Sequence, residues 1–479
     1  MQRKIILGPP GTGKTTTLLD LVDKHLERGD KPEQIGFISF TKKAVTEARD
    51  RAVERFKLGP RRFPYFRTIH SLAFRQCGIA KVEVMGWKDY KALGQSLGMK
   101  IEGIRRQDRM SYEMEKGELA IFLESLSRLT CRSLKETWSS ANVEISWEQL
   151  DLVARTLDKY KKGNFVLDFT DMLVRYMAEG SVPILKALFV DESQDLCQLQ
   201  WRIIEKLSTK AEIVYIAGDD DQAIFRWSGA DLDYFHNLEG DKQILKQSYR
   251  VPRTIHTLSQ ALIKRVSHRY DKDFAPCERK GSVNYHSDLE QVDMSEGSWL
   301  VLVRNGYQAR DIIKHCRYEG LYYDALGDSP EDNEPLQAVI SYEHMRKNRS
   351  SLTKEKESLV KLYMSDDKYE TLSMYRYQDL PIWHEGLDRL SPADRDYFIA
   401  CLKRKEKLKQ KPRVRITTIH GAKGGEADNV VLLSDISKRT WASMQENPDD
   451  EVRVFYVGAT RAIENLHIIE PQTRSYFTI

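Results

Sequence analysis

The chain has 479 residues, 41% of them hydrophobic and 30% charged, with a formal net charge of +4. That length exceeds what one hydrophobic core organises and implies more than one domain. No run of about 18 apolar residues occurs, which excludes a helical membrane span. The near-neutral charge excludes no polyanionic partner, since a basic groove suffices to bind one.

The first element is the buried strand "RKIILG", followed at once by "GPPGTGKT". Gly8, Gly13, Lys14 and Thr15 occupy the fixed places of a GxxxxGK[ST] phosphate loop, with Pro9, Pro10, Gly11 and Thr12 between them and Thr16 just after. Such a loop wraps backbone N–H groups around a phosphate chain, and the helix that follows points its positive end at the same phosphates. Leu18, Leu19, Val22 and Leu26 fall on one face of that helix, giving the strand–loop–helix context the loop requires. "QIGFISF" reads as a second strand and "TKKAVTEARDRAVERF" as the next helix. Between about Cys77 and Phe165 the alternation lapses into a largely helical stretch. "ALFVDESQD" and "EIVYIAGDDDQ" are two further apolar runs that end in acids. A second alternating block begins near Gln243, with strands at "KQILKQ", "SWLVLVR", "VRITTIH", "NVVLLSD" and "NLHIIE". A polar, helix-prone stretch interrupts it between about Ser350 and Pro412. The expected fold is α/β: two parallel-sheet P-loop-type domains, each with a mostly helical insert. The expected bounds are 1–76 with 166–240 for the first domain and 77–165 for its insert. For the second they are 241–349 with 412–479, and 350–411 for its insert.

The acids supply the rest of a nucleotide site. Asp191, at the tip of an apolar strand, is placed to hold Mg²⁺ together with the Thr15 hydroxyl. Glu192 can polarise an attacking water, and Lys14 neutralises charge on the β- and γ-phosphates. Arg250 in "QSYR" and Arg461 in "GATRA" are candidates to meet the departing phosphate, although each, taken alone, reads more readily as a surface ion pair. Were both to reach the phosphates, the nucleotide would sit between two domains. The basic run "KRKEKLKQKPRVR" admits two readings, a solvated linker or a phosphate-contacting patch. Six cysteines without a CxxC pair give zinc or iron–sulfur ligation little support and fit reduced thiols in a cytoplasmic setting.

The ordered set "GPPGTGKT", "FISFTKKAVTEARDR", "TIHSLAFR", "VDESQD", "GDDDQAIFRWSGA", "QSYR", "ITTIHGAKGGEADNVVL" and "EVRVFYVGATRA" resembles the superfamily 1 DNA helicases of the UvrD/Rep/PcrA type, as a compact member. The resemblance implies two RecA-like domains that bind ATP and Mg²⁺. It implies that Gln194 and Gln222 sense the γ-phosphate, that Arg250 and Arg461 act as arginine fingers, and that Tyr249 stacks on the adenine. Glu426 would lie near the ribose and Gly424 by the phosphates. On the strand side it implies base stacking by Phe40, Phe225 and Trp227, whose last two rings face one way if the segment is extended. Backbone-phosphate contacts fall to Thr41, His70, Ser71, Thr418 and His420. Ser228 stands where the family carries an arginine, so Arg226 is the substitute contact.

The reading is an ATPase that translocates 3′ to 5′ on single-stranded DNA and unwinds duplex. It implies binding to single-stranded DNA and single-strand/duplex junctions, a monomeric state, and replication or recombination proteins as partners. Three alternatives stay open on sequence: a translocase that strips proteins without unwinding, an RNA-directed motor, and a nucleotide-switched binding protein.

Overall fold

The computed structural model describes residues 2–39, 42–103, 114–141, 143–327, 332–348, 352–374 and 380–479. The chain divides into two compact units, Met1–Lys280 with Ala442–Thr460, and Gly281–Trp441 with Arg461–Ile479.

The first unit is built on β1 (Gln2–Leu7), β2 (Ile35–Ser39), β3 (Phe66–Arg67), β4 (Leu185–Asp191), β5 (Ala211–Gly218) and β6 (Asp241–Ile244). They form one parallel six-stranded sheet in the order β3-β2-β4-β5-β1-β6. The central strands read as unbroken apolar runs because both faces are covered. Ile5, Leu7, Leu188 and Val190 join one core, while Ile6, Phe37, Phe189 and Tyr215 join the core on the opposite face. Register aligns Leu7 with Gly218 and Ser39 with Asp191. The chemistry-bearing loops after β1, β4 and β5 therefore leave the same edge of the sheet, where parallel sheets gather ligands.

β6 corrects the expected partition. "KQIL" pairs with β1 and completes the first sheet, so the boundary expected after residue 240 falls inside the first unit, which runs on to Lys280. The helix Pro448–Ala459 belongs to this unit too, with Glu451 through Ala459 all buried. A strand's apolar pattern specifies burial and not the sheet in which it is buried, which is why sequence order suggested otherwise.

The first insert contains helices Trp87–Leu97, Lys116–Leu129, Leu134–Ser140 and Trp147–Asn164, packed on their own core of Leu93, Ala120, Leu123, Leu150, Val153 and Leu157. Two of these helices start at capping boxes spelled in the sequence, Ser133 with Glu136 and Ser146 with Gln149. The helix Phe169–Glu179 starts at another, Asp168 with Asp171. The Asp168 carboxylate also takes Arg128 at 2.7 Å and Lys161 at 2.8 Å. Burial alone would raise its pKa, but the two cations outweigh burial and hold it at about 2.

The second unit carries β7 (Ser282–His286), β8 (Trp299–Val303), β9 (Tyr323–Ala325), β10 (Val414–Thr418), β11 (Ala427–Leu433) and β12 (Ala462–Ile469), again parallel, in the order β7-β12-β11-β8-β10-β9. Its insert is helical already from Glu334, earlier than the expected residue 350, and buries Leu336, Tyr342, Trp383, Leu387, Phe398 and Cys401 in a core of its own. The basic run ends the helix Pro392–Lys403 and then connects to β10, with Arg413 paired to Glu406. Lys403, Lys405, Lys407, Lys409 and Lys411 along it are exposed. Among the described residues no helix is long and apolar enough to cross a membrane, and all six cysteines are free.

Candidate active site

β1 ends at Leu7, and Gly8 N–H donates to Gly218 O at 3.1 Å, which fixes where the loop departs. Gly11 (φ 70°) and Gly13 (φ 79°) take left-handed backbone that other residues adopt at a cost of about 1–2 kcal/mol. Thr12 Oγ donates to Pro9 O at 2.7 Å and closes the turn. The helix Lys14–Glu27 starts at once, and Lys14 is buried with its Nζ 2.7 Å from Gly8 O, so its ammonium lies over the loop. Thr16 is exposed.

Thr15 Oγ donates to Asp191 Oδ2 at 2.8 Å. Asp191 is buried, and burial together with the neighbouring Glu192 carboxylate raises its pKa to about 6 against the pull of Thr15 and Lys14. A hydroxyl beside two adjacent carboxylates is a set of hard oxygen donors, and it carries an excess of negative charge that a divalent cation would relieve. The residues present therefore fit Mg²⁺. Glu192 sits in left-handed backbone (φ 52°), and its Oε2 accepts from Gln194 Nε2 at 2.6 Å. Gln194 Oε1 accepts from Asp219 N–H at 3.0 Å, and Asp219 Oδ2 accepts from Gln222 Nε2 at 2.6 Å. The acid and both glutamines thus belong to one connected network on the loops after β4 and β5.

Arg250 enters the same unit through the segment 246–251. Tyr249 N–H donates to Gly11 O at 2.9 Å, and Ser248 Oγ donates to Pro10 O at 2.8 Å. A Cβ on Gly11 would lie 2.5 Å from Arg250 Cβ and 2.8 Å from Ser248 Oγ. The loop is glycine here because "QSYR" rests on it. The Tyr249 ring stays 72% exposed beside the loop, as a stacking surface requires. Arg250, expected in the second domain, lies in the first unit. Arg461, Gly424 and Glu426 lie in the second unit, where Arg461 is buried and reaches Gly425 O at 3.4 Å, while Gly424 (φ 76°) and Glu426 are exposed.

The strand-side residues divide. Phe40 and Thr41 lie outside the described residues. Phe225 and Trp227 are not on an extended segment: Arg226–Ser228 is a 3-10 turn, and the two rings lie 6.4 Å apart at 58°. Phe225 is buried, a core residue, whereas Trp227 is half-buried and rests on the Phe122 ring at 6.3 Å. The turn follows from Gly229 (φ 97°), which closes it with a Gly229 N–H to Arg226 O bond of 2.9 Å. Arg226 is ion-paired with Asp450 at 2.8 Å. His70 is half-buried against the Phe169 ring, and burial pushes its pKa down to about 4, so at neutral pH it offers a hydrogen bond and no charge. Ser71 Oγ accepts from Arg67 at 3.0 Å. In the second unit Thr418 is buried with its Oγ capping Gly421 N–H at 3.1 Å, and His420 is half-buried.

The sequence reading missed the residues that hold "GDDDQ". Asp219, Asp220 and Asp221 are all buried, and Lys272 Nζ meets all three, at 2.9 Å from Asp219 and 3.0 Å from Asp221. Arg269 grips Asp221 through two bonds of 2.8 and 2.7 Å, and His236 meets Asp220 at 3.0 Å. Arg453, on the helix Pro448–Ala459, donates to Asp220 O at 3.0 Å and His268 O at 2.7 Å. Three acids in a row at the end of a buried strand signal that cations must be recruited, but not from where.

A family model described as the UvrD/REP helicase N-terminal domain matches residues 2–243, and one described as the UvrD-like helicase C-terminal domain matches residues 341–473. The chain belongs to the UvrD/Rep helicase family. Among curated relatives of this UvrD/Rep chain, the ATP-dependent DNA helicase PcrA of Staphylococcus aureus is 25% identical over 347 residues, covering 67% of this chain and 44% of the relative. The chain therefore matches less than half the length of PcrA. A probable DNA helicase of Mycoplasma pneumoniae is 22% identical over 515 residues, covering 98% of this chain and 81% of the relative. Among solved structures, arterivirus nonstructural protein 10, a helicase, in complex with DNA covers 99% of this chain and 62% of that one with a TM-score of 0.34 and 10% identity.

Proposed function

We propose that this chain hydrolyses ATP to move along single-stranded DNA from 3′ toward 5′, separating duplex ahead of it. One observation carries the reading: within one unit, Lys14, the Thr15–Asp191 pair, the glutamine-held Glu192 and a docked Arg250 surround one phosphate loop. Relatives such as the ATP-dependent DNA helicase PcrA support the DNA strand as the track.

In this reading the loop N–H groups between Gly11 and Thr15 cradle the phosphates, and Tyr249 stacks on the base. Thr15 and Asp191 would hold Mg²⁺, which would supply charge neutralisation to the phosphate chain. Glu192 accepts a proton from the attacking water. Gln194 and Gln222 report the γ-phosphate. Arg250 stabilises charge on the departing phosphoryl group, and Arg461 is assigned the same task on its motif. Gly424 and Glu426 belong to the nucleotide pocket on the same basis. Trp227 supplies a stacking surface that serves any base. Phe40, Thr41, His70, Ser71, Thr418 and His420 contact the strand. A monomer in the cytoplasm, loaded at single-strand/duplex junctions beside replication or recombination proteins, is the working context.

The test is ATP turnover with and without single-stranded DNA, followed by unwinding of a duplex with a 3′ tail. Strand-stimulated turnover with displacement only from the 3′ tail is expected. Turnover indifferent to DNA would refute the reading, while stimulation without strand displacement would narrow it to a translocase.

A further inference from the structure

We infer that Lys272 is a positioning residue for ATP hydrolysis, acting through Asp219 on Gln222 and, by way of Gln194, on Glu192. The inference rests on the proposed ATPase activity and adds a residue that lies outside every motif read from the sequence.

Lys272 is fully buried, as are the side chains of Asp219 and Asp220. An ammonium leaves water only when carboxylates replace its hydration, and here three do so. What they hold matters more than that they are satisfied. Asp219 divides its oxygens: Oδ1 meets Lys272 at 2.9 Å, while Oδ2 accepts Gln222 Nε2 at 2.6 Å. The backbone N–H of Asp219 donates to Gln194 Oε1 at 3.0 Å, and Gln194 Nε2 donates to Glu192 Oε2 at 2.6 Å. An unbroken set of short contacts therefore runs from Lys272 to the proposed base and to the proposed γ-phosphate sensor. Asp219 has rotational freedom about its side chain, and Lys272 is the cation that pins it.

The remaining acids keep Lys272 in place and do not reach the glutamines. Asp220 is engaged by His236 at 3.0 Å and by the Tyr270 N–H at 2.7 Å, and Asp221 by Arg269. Lys272 is thus held against the network from behind by Asp220 and Asp221, and in front it bears on Asp219. Without its charge, Asp219 Oδ1 keeps only the 3.3 Å bond from the Asp221 N–H, so Gln222 loses a firmly held acceptor and the turn that presents the Asp219 N–H to Gln194 loses a tie. Nucleotide binding by the phosphate loop does not pass through this route. The expected defect is in kcat, not in affinity for ATP.

Lys272→Gln alone leaves a buried surplus of negative charge and can unfold the chain. The decisive variant is Lys272→Gln with Asp220→Asn, which restores the local charge balance while Asp219 still lacks its cation. The full-length double variant is to be compared with wild type by thermal melting, by binding of a fluorescent ATP analogue, and by DNA-stimulated turnover. Expected are a cooperative melt, analogue affinity within about threefold of wild type, and kcat lower by about 100-fold or more, as misplacement of a catalytic group produces. Adding Gln222→Ala to the double variant should then cost less than that substitution costs in wild type. Recovery of wild-type kcat in the double variant assigns Lys272 to charge balance alone and overturns the inference, as does loss of the cooperative melt in both variants. A wild-type chain that hydrolyses no ATP would instead sink the proposed function itself.

Discussion

Gly11→Ala is the sharpest probe of how the phosphate loop and Arg250 are joined. Two costs arise and can be separated. The first is backbone strain at φ 70°, worth about 1–2 kcal/mol for a residue with a Cβ. The second is collision, since the new Cβ would sit 2.5 Å from Arg250 Cβ, 2.8 Å from Ser248 Oγ and 3.1 Å from Arg250 N. Backbone cannot yield as a flexible side-chain end does, so "QSYR" must move by most of an ångström. The bonds from Tyr249 N–H to Gly11 O and from Ser248 Oγ to Pro10 O then stretch or break. A displacement of about 1 Å at a catalytic group can cost about 100-fold in rate. Gly29→Ala is the control, because Gly29 has φ 92° and nothing within 4 Å of its Cβ position. Both variants should lose about 1–2 kcal/mol in denaturant unfolding from strain, and Gly11→Ala somewhat more. Only Gly11→Ala should lose about 100-fold in kcat. Equal turnover in the two variants would refute the idea that the loop positions Arg250.

Other expectations follow from the same geometry. Lys14→Ala and Glu192→Gln should each lower DNA-stimulated turnover by about 100-fold or more while leaving single-strand affinity in a fluorescence anisotropy titration within about threefold. Trp227→Ala should weaken strand binding by about 1–3 kcal/mol at unchanged melting temperature. Phe225→Ala, a truncation in the core, should instead cost about 3–5 kcal/mol of stability. Asp168→Asn tests a pH dependence. The folded carboxyl titrates at about 2, below its ordinary value near 4, so its stabilisation is complete above about pH 4 and is lost as pH falls through about 2. Wild type should exceed the variant by about 2–5 kcal/mol in urea unfolding at pH 7, with the gap narrowing below pH 4. A gap that stayed constant down to pH 2 would contradict the burial of that ion cluster.

The sequence disclosed most where chemistry forces residue identity. A phosphate loop admits few residues besides glycine, and an acid at the tip of a buried strand stands out from its apolar neighbours. Gly8 to Thr15 and Asp191 were legible for those reasons. Pairing was less so, because "KQIL" is the same apolar string whichever sheet it completes. Phe225 and Trp227 seemed equivalent at a spacing of two, yet Gly229 folds the segment into a turn that buries one ring and leaves the other at the surface. Lys272 and Arg269 were invisible because nothing local distinguishes them from surface cations. Only the fold brings them to the acids of "GDDDQ".

The helix Pro448–Ala459 completes a unit whose other residues end at Lys280. During synthesis the ribosome must therefore finish the intervening segment before the first unit can close. Until then the carbonyls of Asp220 and His268 await Arg453, and the face of the helix Arg253–Ile263 on which this helix packs stays bare to water. A nascent chain or a truncated expression product that stops short of residue 448 exposes that face throughout its life. Such fragments should collect in inclusion bodies, and the chain should depend on chaperones for about the time needed to translate the segment between Lys280 and the end of this helix.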